Sequence, residues 1–205
     1  MRYTILSLIH KALRRGLSEN LLSLQTLEFG QADHLKAFEE AAEFTLELLH
    51  HHAILEDTYV WPLVKEQAHS LIHHLEDEHL EDAKLIAQCQ AGIKSLVAAQ
   101  SELAFLEAQT RLVWDYSALL AFNLNHMNGE EQQIHPLLWE NYSDAYLQQT
   151  AALVGSKNPP ELFMPSLKLF IRACTQAELM AWYNGIPPEA PIKSLVGDHL
   201  GVQTA

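Results

Sequence analysis

Apolar residues at helical spacing run through most of this 205-residue chain and limit the folds that it can adopt. Through the first 142 residues, apolar side chains recur every three or four positions, as on the buried face of an amphipathic helix. Only two prolines, Pro62 and Pro136, fall in this part, whereas the other six lie between residues 159 and 191. The first part therefore reads as long helices and the last part as short ones.

Breaks in the apolar pattern fall near Gly30, near residues 69–70 and near residues 100–101. They divide the first part into four long helices with short connections, which favours an up-down-up-down four-helix bundle. We therefore predict an all-α protein with a metal-binding bundle in residues 1–142. Residues 143–205 are expected to form a short helical extension that packs on the bundle or makes an oligomer contact.

Each of the four apolar stripes is interrupted by a histidine where another apolar residue would pack better. These histidines are His10, His52, His79 and His126. The chain contains 12 histidines, and histidine combined with acidic residues is the usual material of a site for iron, zinc or manganese.

Two of these histidines begin an internal repeat. The segments HAILEDTYVWPL, from His52, and HMNGEEQQIHPL, from His126, both read H-x3-E-[DE]-x4-P-L. The H-x3-E spacing places His52 beside Glu56, and His126 beside Glu130, one turn apart on one helix face.

The predicted bundle brings these pairs to one level. In an antiparallel helix pair, residues equally distant from the turn lie at the same height, as His10 and His52 do about residues 31–33, and His79 and His126 about residues 102–105. Buried acids and imidazoles need a compensating cation. Two bridging carboxylates with four imidazoles suit a site for two metal ions, with iron favoured over manganese and zinc. The predicted metal ligands are His10, His52, Glu56, His79, His126 and Glu130.

Two alternatives to these ligands stay open. His74 also has a glutamate four residues later, but its neighbours indicate a solvated face, so His79 is preferred on the third helix. A ferritin-like carboxylate site would use Glu-x-x-His pairs, and Glu66/His69 and Glu76/His79 have that spacing. Those two pairs are not expected at matching heights.

The ligand motifs resemble those of the hemerythrin family, specifically its HHE cation-binding domains. The resemblance rests on His10 in IHKALRR, HAILED, His79 in DEHLED and HMNGEE, and it covers residues 3 to about 142. It implies a four-helix bundle with two non-haem iron ions and an oxo or hydroxo bridge. Glu56 and Glu130 would bridge the ions, and the four histidines would be terminal ligands.

The chain departs from the oxygen-carrying members of that family, which use five histidines. Leu75 and Ala83, four residues either side of His79, cannot supply the fifth. Glu130 follows His126 at x3 spacing, where the oxygen carriers have an aspartate at x4. A missing imidazole leaves a coordination position open to a diatomic ligand or peroxide, and these differences argue against oxygen transport.

Three functional hypotheses follow. The first is a non-enzymatic diiron protein that senses or binds iron, oxygen or redox state. The second is a diiron enzyme acting on peroxide, O2 or nitric oxide, although the sequence shows no catalytic or separate cofactor-binding motif. The third is a metal-free helical interaction module.

Composition limits the partners. A net charge of -13 disfavours nucleic acid and anionic membrane surfaces, and no apolar run approaches the roughly 20 residues of a membrane span. Two cysteines cannot form a disulfide framework and indicate reduced thiols in a cytoplasmic protein. A homodimer through the apolar C-terminal region is a further expectation.

Overall fold

Helices account for every regular element in the computed structural model, which describes residues 2–186, 188 and 190–202. The prediction of an all-α protein is confirmed. The helices are α1 (Ser7–Gln25), α2 (Ala32–Leu55), α3 (His69–Val97), α4 (Glu102–Asn141), α5 (Asp144–Gly155), α6 (Pro160–Ala173), α7 (Gln176–Gly185) and α8 (Pro191–Leu200). Among the described residues, no helix combines the length and apolar character needed to cross a bilayer.

Side-chain caps mark the starts of three helices. The Ser101 hydroxyl accepts a hydrogen bond from a backbone N–H in the first turn of α4, and Ser143 does the same for α5. Thr175 and Glu178 form a reciprocal capping box at the start of α7. Each cap satisfies backbone N–H groups that the first helical turn leaves without partners.

Hydrogen bonds link α1 with α4 in reversed residue order. Trp139, near the end of α4, donates to the carbonyl of Tyr3, before α1, while Gln109, near the start of α4, donates to the carbonyl of Leu24. Three further helix pairs are in contact: α1 with α2, α2 with α3, and α3 with α4. Reversed residue order also holds for Asn20–Thr45 and His10–His52 between α1 and α2, and for Glu78–His126 and Gln88–Asp115 between α3 and α4.

The core between these helices contains two apolar layers with a polar layer between them. One apolar layer contains Leu6, Trp61, Ile72, Leu75 and Ile134. The other contains Leu13, Leu17, Leu46, Ile86, Leu119 and their neighbours. The four histidines that interrupt the apolar stripes lie between residues of these two sets, so the polar layer separates one apolar set from the other.

The two copies of the sequence repeat differ in backbone conformation. After His52, α2 ends in one π-helical turn, Glu56–Val60, followed by a 3-10 turn, Trp61–Leu63, which contains Pro62. After His126, α4 continues without a break to Asn141, with Pro136 inside it. π-Helical turns occur often at functional sites, and this one begins at a predicted metal ligand.

Among the C-terminal helices, α6 packs against α1. Helix α6 contacts both α1 and α2, and its Leu169 is buried beside Gly16 of α1. A Cβ at Gly16 would lie 3.2 Å from Leu169 Cδ2 and 3.1 Å from Thr45 Cγ2, so glycine allows this close packing. The Lys11 ammonium on α1 donates to Glu178 of α7. The division of the chain at residue 142 stays a prediction.

Candidate metal centre

The six predicted ligands come together in the polar layer of the core. His10, His52, Glu56 and Glu130 form one group in which one ligand atom from each residue lies within 4.8 Å of the others. His79, His126 and the same two glutamates form a second group by the same measure. All six side chains are buried. Glu56 lies in the π-helical turn after α2, and the other five residues lie in α1 to α4.

The first group has distances suited to a shared cation. His10 Nε2 lies 3.1 Å from His52 Nε2, 3.6 Å from Glu56 Oε1 and 3.3 Å from Glu130 Oε2. His52 Nε2 lies 3.2 Å from Glu56 Oε1. Metal–ligand bonds of about 2.0–2.2 Å would place neighbouring ligand atoms about 2.8–3.6 Å apart, from octahedral to tetrahedral bond angles, and this range includes the observed spacing.

The second group uses the other oxygen of each carboxylate. His79 Nε2 lies 3.4 Å from Glu56 Oε2 and 3.5 Å from Glu130 Oε1, and His126 Nε2 lies 2.9 Å from Glu130 Oε1. Glu56 and Glu130 therefore each present one oxygen to either histidine pair. This is the arrangement that a carboxylate bridging two ions requires.

The carboxylates lack partners of their own. All four oxygens of Glu56 and Glu130 are buried without a hydrogen bond, and so is His79 Nε2. A buried acceptor without a partner costs about 1–3 kcal/mol, and more when it is charged. Residues that converge with their ligand atoms unpartnered fit a bound cation, and imidazole with carboxylate is the donor set of iron and similar ions.

The pKa values of the cluster are shifted by the close approach of imidazoles and carboxylates. Burial alone would lower the pKa of His10, but the neighbouring carboxylates of Glu131 and Glu56 outweigh burial and raise that pKa to about 9. For His79, burial is likewise outweighed, chiefly by Asp57 and Glu130, and the pKa rises to about 12. Burial would raise the pKa of Glu56, but the neighbouring imidazoles hold it well below its usual value. The pKa of Glu130 is lowered by His126 and His79 in spite of burial, so both carboxylates are stabilised as anions by positive charge beside them.

A second set of acids holds the outer ring nitrogens. The Nδ1–H of His10 donates to Glu131 at 2.9 Å, that of His79 to Asp57 at 2.9 Å, and that of His126 to Glu78 at 2.8 Å. Sequence reasoning did not identify these three acids as part of the site. The signal was present for Asp57 and Glu131, which are the second acid of E-[DE] in each repeat.

Aromatic rings lie against two of the histidines. Trp61 stacks on His79 with ring centroids 6.0 Å apart and planes inclined by 14°, and Phe122 stacks on His126 at 5.9 Å and 16°. Trp61 belongs to the 3-10 turn that follows the π-helical turn, so the irregular end of α2 supplies both Glu56 and this ring.

The competing assignments lie outside the cluster. The side chain of His74 is 67% exposed, with its Nε2 3.5 Å from Glu78, whereas His79 is buried among the six. Glu66 and His69, needed for a ferritin-like site, are both exposed. The structure thus places the preferred third-helix histidine, and not its rival, beside the other candidate ligands.

One buried acid beside the cluster was not anticipated. Asp82 lies one turn beyond His79 on α3, and its carboxylate accepts a 2.6 Å hydrogen bond from Asn123 of α4. Both side chains are buried, and burial raises the pKa of Asp82. Leu75 and Ala83, at the positions where a fifth histidine was sought, offer no ligand atom. In the sequence, Asp82 could have been identified because it is an acid at a position of the apolar stripe of α3.

Comparison with known proteins gives one result for this chain. A family model described as "Hemerythrin HHE cation binding domain" matches residues 1–138. That match spans α1 to α3 and nearly all of α4, and so includes all six candidate ligands. Neither the curated proteins nor the solved structures gave a match.

Proposed function

Because the chain belongs to the hemerythrin family of HHE cation-binding domains, we propose that its buried histidine–glutamate cluster binds two iron ions. The observation that carries this proposal is the pair of buried carboxylates with four unpartnered oxygens, each carboxylate facing both histidine pairs. One ion would bind His10 and His52 and the other His79 and His126. Glu56 and Glu130 would bridge them, together with an oxo or hydroxo group.

The contacts among the long helices support the finer fold assignment. We propose that α1 to α4 form an up-down-up-down bundle as the metal-binding domain, residues 1–142, with residues 143–205 as its extension. The antiparallel order of side-chain contacts between α1 and α4, and between α3 and α4, supports this arrangement.

We propose that the bound iron serves sensing or binding of oxygen, iron or redox state, and not oxygen transport. Each group offers four protein ligand atoms, so a six-coordinate ion retains room for a small ligand such as O2, nitric oxide or peroxide. The absence of a fifth histidine at Leu75 or Ala83 supports the distinction from the oxygen carriers. A cytoplasmic location, supported by two free cysteines, and a homodimer belong to the same proposal.

Metal analysis of two matched histidine variants tests the proposal. Wild-type protein purified without chelator should contain about two iron ions per chain, with a charge-transfer absorption that reductant abolishes. His79→Ala should lose iron, whereas His74→Ala, on the same helix with the same H-x3-E spacing but exposed, should retain it. Equal iron content in the two variants would contradict the proposed site.

An enzymatic role is the second candidate, and Asp82 is the observation that favours it. A buried carboxyl whose pKa is raised by burial, hydrogen-bonded to Asn123 and one turn from the candidate ligand His79, could exchange a proton beside the cluster. Iron-loaded protein should then consume peroxide catalytically, and Asp82→Asn should slow that turnover without loss of iron. Iron-loaded protein that consumes no peroxide, O2 or nitric oxide excludes this role.

A further inference from the structure

We propose that the two metal positions are unequal and fill in a fixed order, with the first divalent cation binding at His79 and His126. This inference rests on the proposed function, since it concerns the same cluster. The position formed by His79 and His126 is called the α3–α4 position, and the one formed by His10 and His52 the α1–α2 position. Both share Glu56 and Glu130, so any difference must come from the histidines and their surroundings.

Both histidines of the α3–α4 position are held by carboxylates. Asp57 accepts from His79 Nδ1 at 2.9 Å, and Glu78 accepts from His126 Nδ1 at 2.8 Å. A carboxylate on one ring nitrogen fixes the tautomer, leaves Nε2 free to bind metal, and makes that nitrogen more basic. Both imidazoles of this position are therefore oriented and strengthened as ligands.

The α1–α2 position has one such carboxylate, and it is partly neutralised. Glu131 Oε1 accepts from His10 Nδ1 at 2.9 Å and also from Arg14 at 2.8 Å, so a guanidinium shares the same oxygen. For His52, the hydrogen bonds and ion pairs of the described residues include no carboxylate at Nδ1.

The asymmetry arises from an acid outside the internal repeat. In each half of the bundle, the second acid of E-[DE] reaches the histidine of another helix, as Asp57 and Glu131 do. Glu78, the residue before His79 on α3, is the third acid that holds a ligand histidine, and its carboxylate accepts the hydrogen bond from His126. The residue preceding His10 on α1 is Ile9, which packs against the apolar core and cannot serve His52 in the same way.

Aromatic packing adds to the difference. Trp61 stacks on His79 and Phe122 on His126, so each imidazole of the α3–α4 position lies against a flat ring. Among the described residues, the aromatic contacts of His10 and His52 are with each other, edge to face at 5.1 Å. Ligands held in place before binding lose less conformational entropy when the ion arrives.

These differences predict separate binding affinities for the two positions. Removal of a carboxylate behind a metal-bound histidine typically weakens metal binding by about 10–100-fold. The α3–α4 position has two such carboxylates and the α1–α2 position has one, shared with Arg14. We therefore expect the α3–α4 position to bind a divalent cation about 10–100-fold more tightly than the α1–α2 position does.

Anaerobic titration of the metal-free full chain with Co²⁺ tests this order. Calorimetry and the visible cobalt absorption should resolve two binding steps. Glu78→Gln should weaken the first step by about 10–100-fold and leave the second nearly unchanged, whereas Glu131→Gln should weaken the second. Glu78→Asp, which keeps the charge, should restore part of the first step. Glu81→Gln, an exposed acid of α3 whose carboxylate pairs with Lys84, is the matched control and should change neither step.

Paramagnetic NMR gives a readout that a merely structural effect would not reproduce. One equivalent of Co²⁺ should produce strongly shifted Nδ1–H signals that His79→Ala and His126→Ala remove and His10→Ala does not. Two equal binding steps, or a first step weakened by Glu131→Gln, would overturn the order but leave the dinuclear site intact. A chain that binds no Co²⁺ and no iron would overturn the site itself. A Glu78→Gln chain that fails to fold leaves the Glu131→Gln and NMR results to decide.

Discussion

Metal removal should destabilise the fold by an amount that the buried carboxylates set. Glu56 and Glu130 together present four buried oxygens without hydrogen-bond partners. At about 1–3 kcal/mol for each, the loss of a coordinating cation costs about 4–12 kcal/mol. Neighbouring imidazoles with raised pKa values offset part of this cost, so we expect the lower end, about 4 kcal/mol.

Thermal unfolding of iron-loaded and chelator-treated protein measures this effect. In a chain of this size, 1 kcal/mol corresponds to about 2–4 °C, so chelation should lower the Tm by about 8–16 °C. Glu130→Gln, which removes a bridging carboxylate, is expected to bind no metal pair, and its Tm should not respond to the chelator. A wild-type Tm that changes by less than about 2 °C would refute the reasoning from unpartnered oxygens. It would also favour the metal-free helical module.

Two further predictions concern stability alone. Gly129→Ala should raise the free energy of unfolding by about 0.5–1 kcal/mol, because a Cβ there meets only the Gln133 amide at 3.5 Å. Gly92→Ala should lower the free energy of unfolding, because its Cβ would lie 2.8 Å from the buried Leu112 side chain. Urea unfolding measures both effects. The Glu178 carboxyl, whose hydrogen bond to Lys11 lowers its pKa to about 2, stabilises the fold above its unfolded pKa of about 4.5. Its contribution is lost as the pH falls from about 4.5 to about 2. The Tm difference between wild type and Glu178→Gln should therefore shrink over that range. A Tm difference that stays constant would contradict this prediction.

The sequence was sufficient for the helices and for the gathering of the six candidate ligands, because both depend on periodicity. Apolar spacing marks a helix face, and a histidine on that face must point inward. Equal distance from a turn then places His10 beside His52 without any knowledge of the packing. The same reasoning preferred His79 over His74, and the structure places His79 in the cluster and leaves His74 exposed.

The outer acids were harder to predict because their role depends on contacts between helices. Asp57 and Glu78 are partly exposed, as surface acids usually are, and nothing in helical periodicity shows which histidine each one reaches. The π-helical turn at Glu56–Val60 was also unforeseen, since the matching segment of α4 remains α-helical. Identical spacing in the two repeats therefore concealed a difference in backbone conformation.

Helix α1 makes contacts on two opposite sides. His10 and Arg14 face the cluster and both bind Glu131, while Lys11 and Gly16 face the C-terminal helices. A helix is a stiff rod, so a small rotation of α1 about its axis moves both sets of contacts together. A rotation that shifts the imidazole of His10 would therefore also shift the contacts of α1 with α6 and α7, about 10 Å away across one helix diameter.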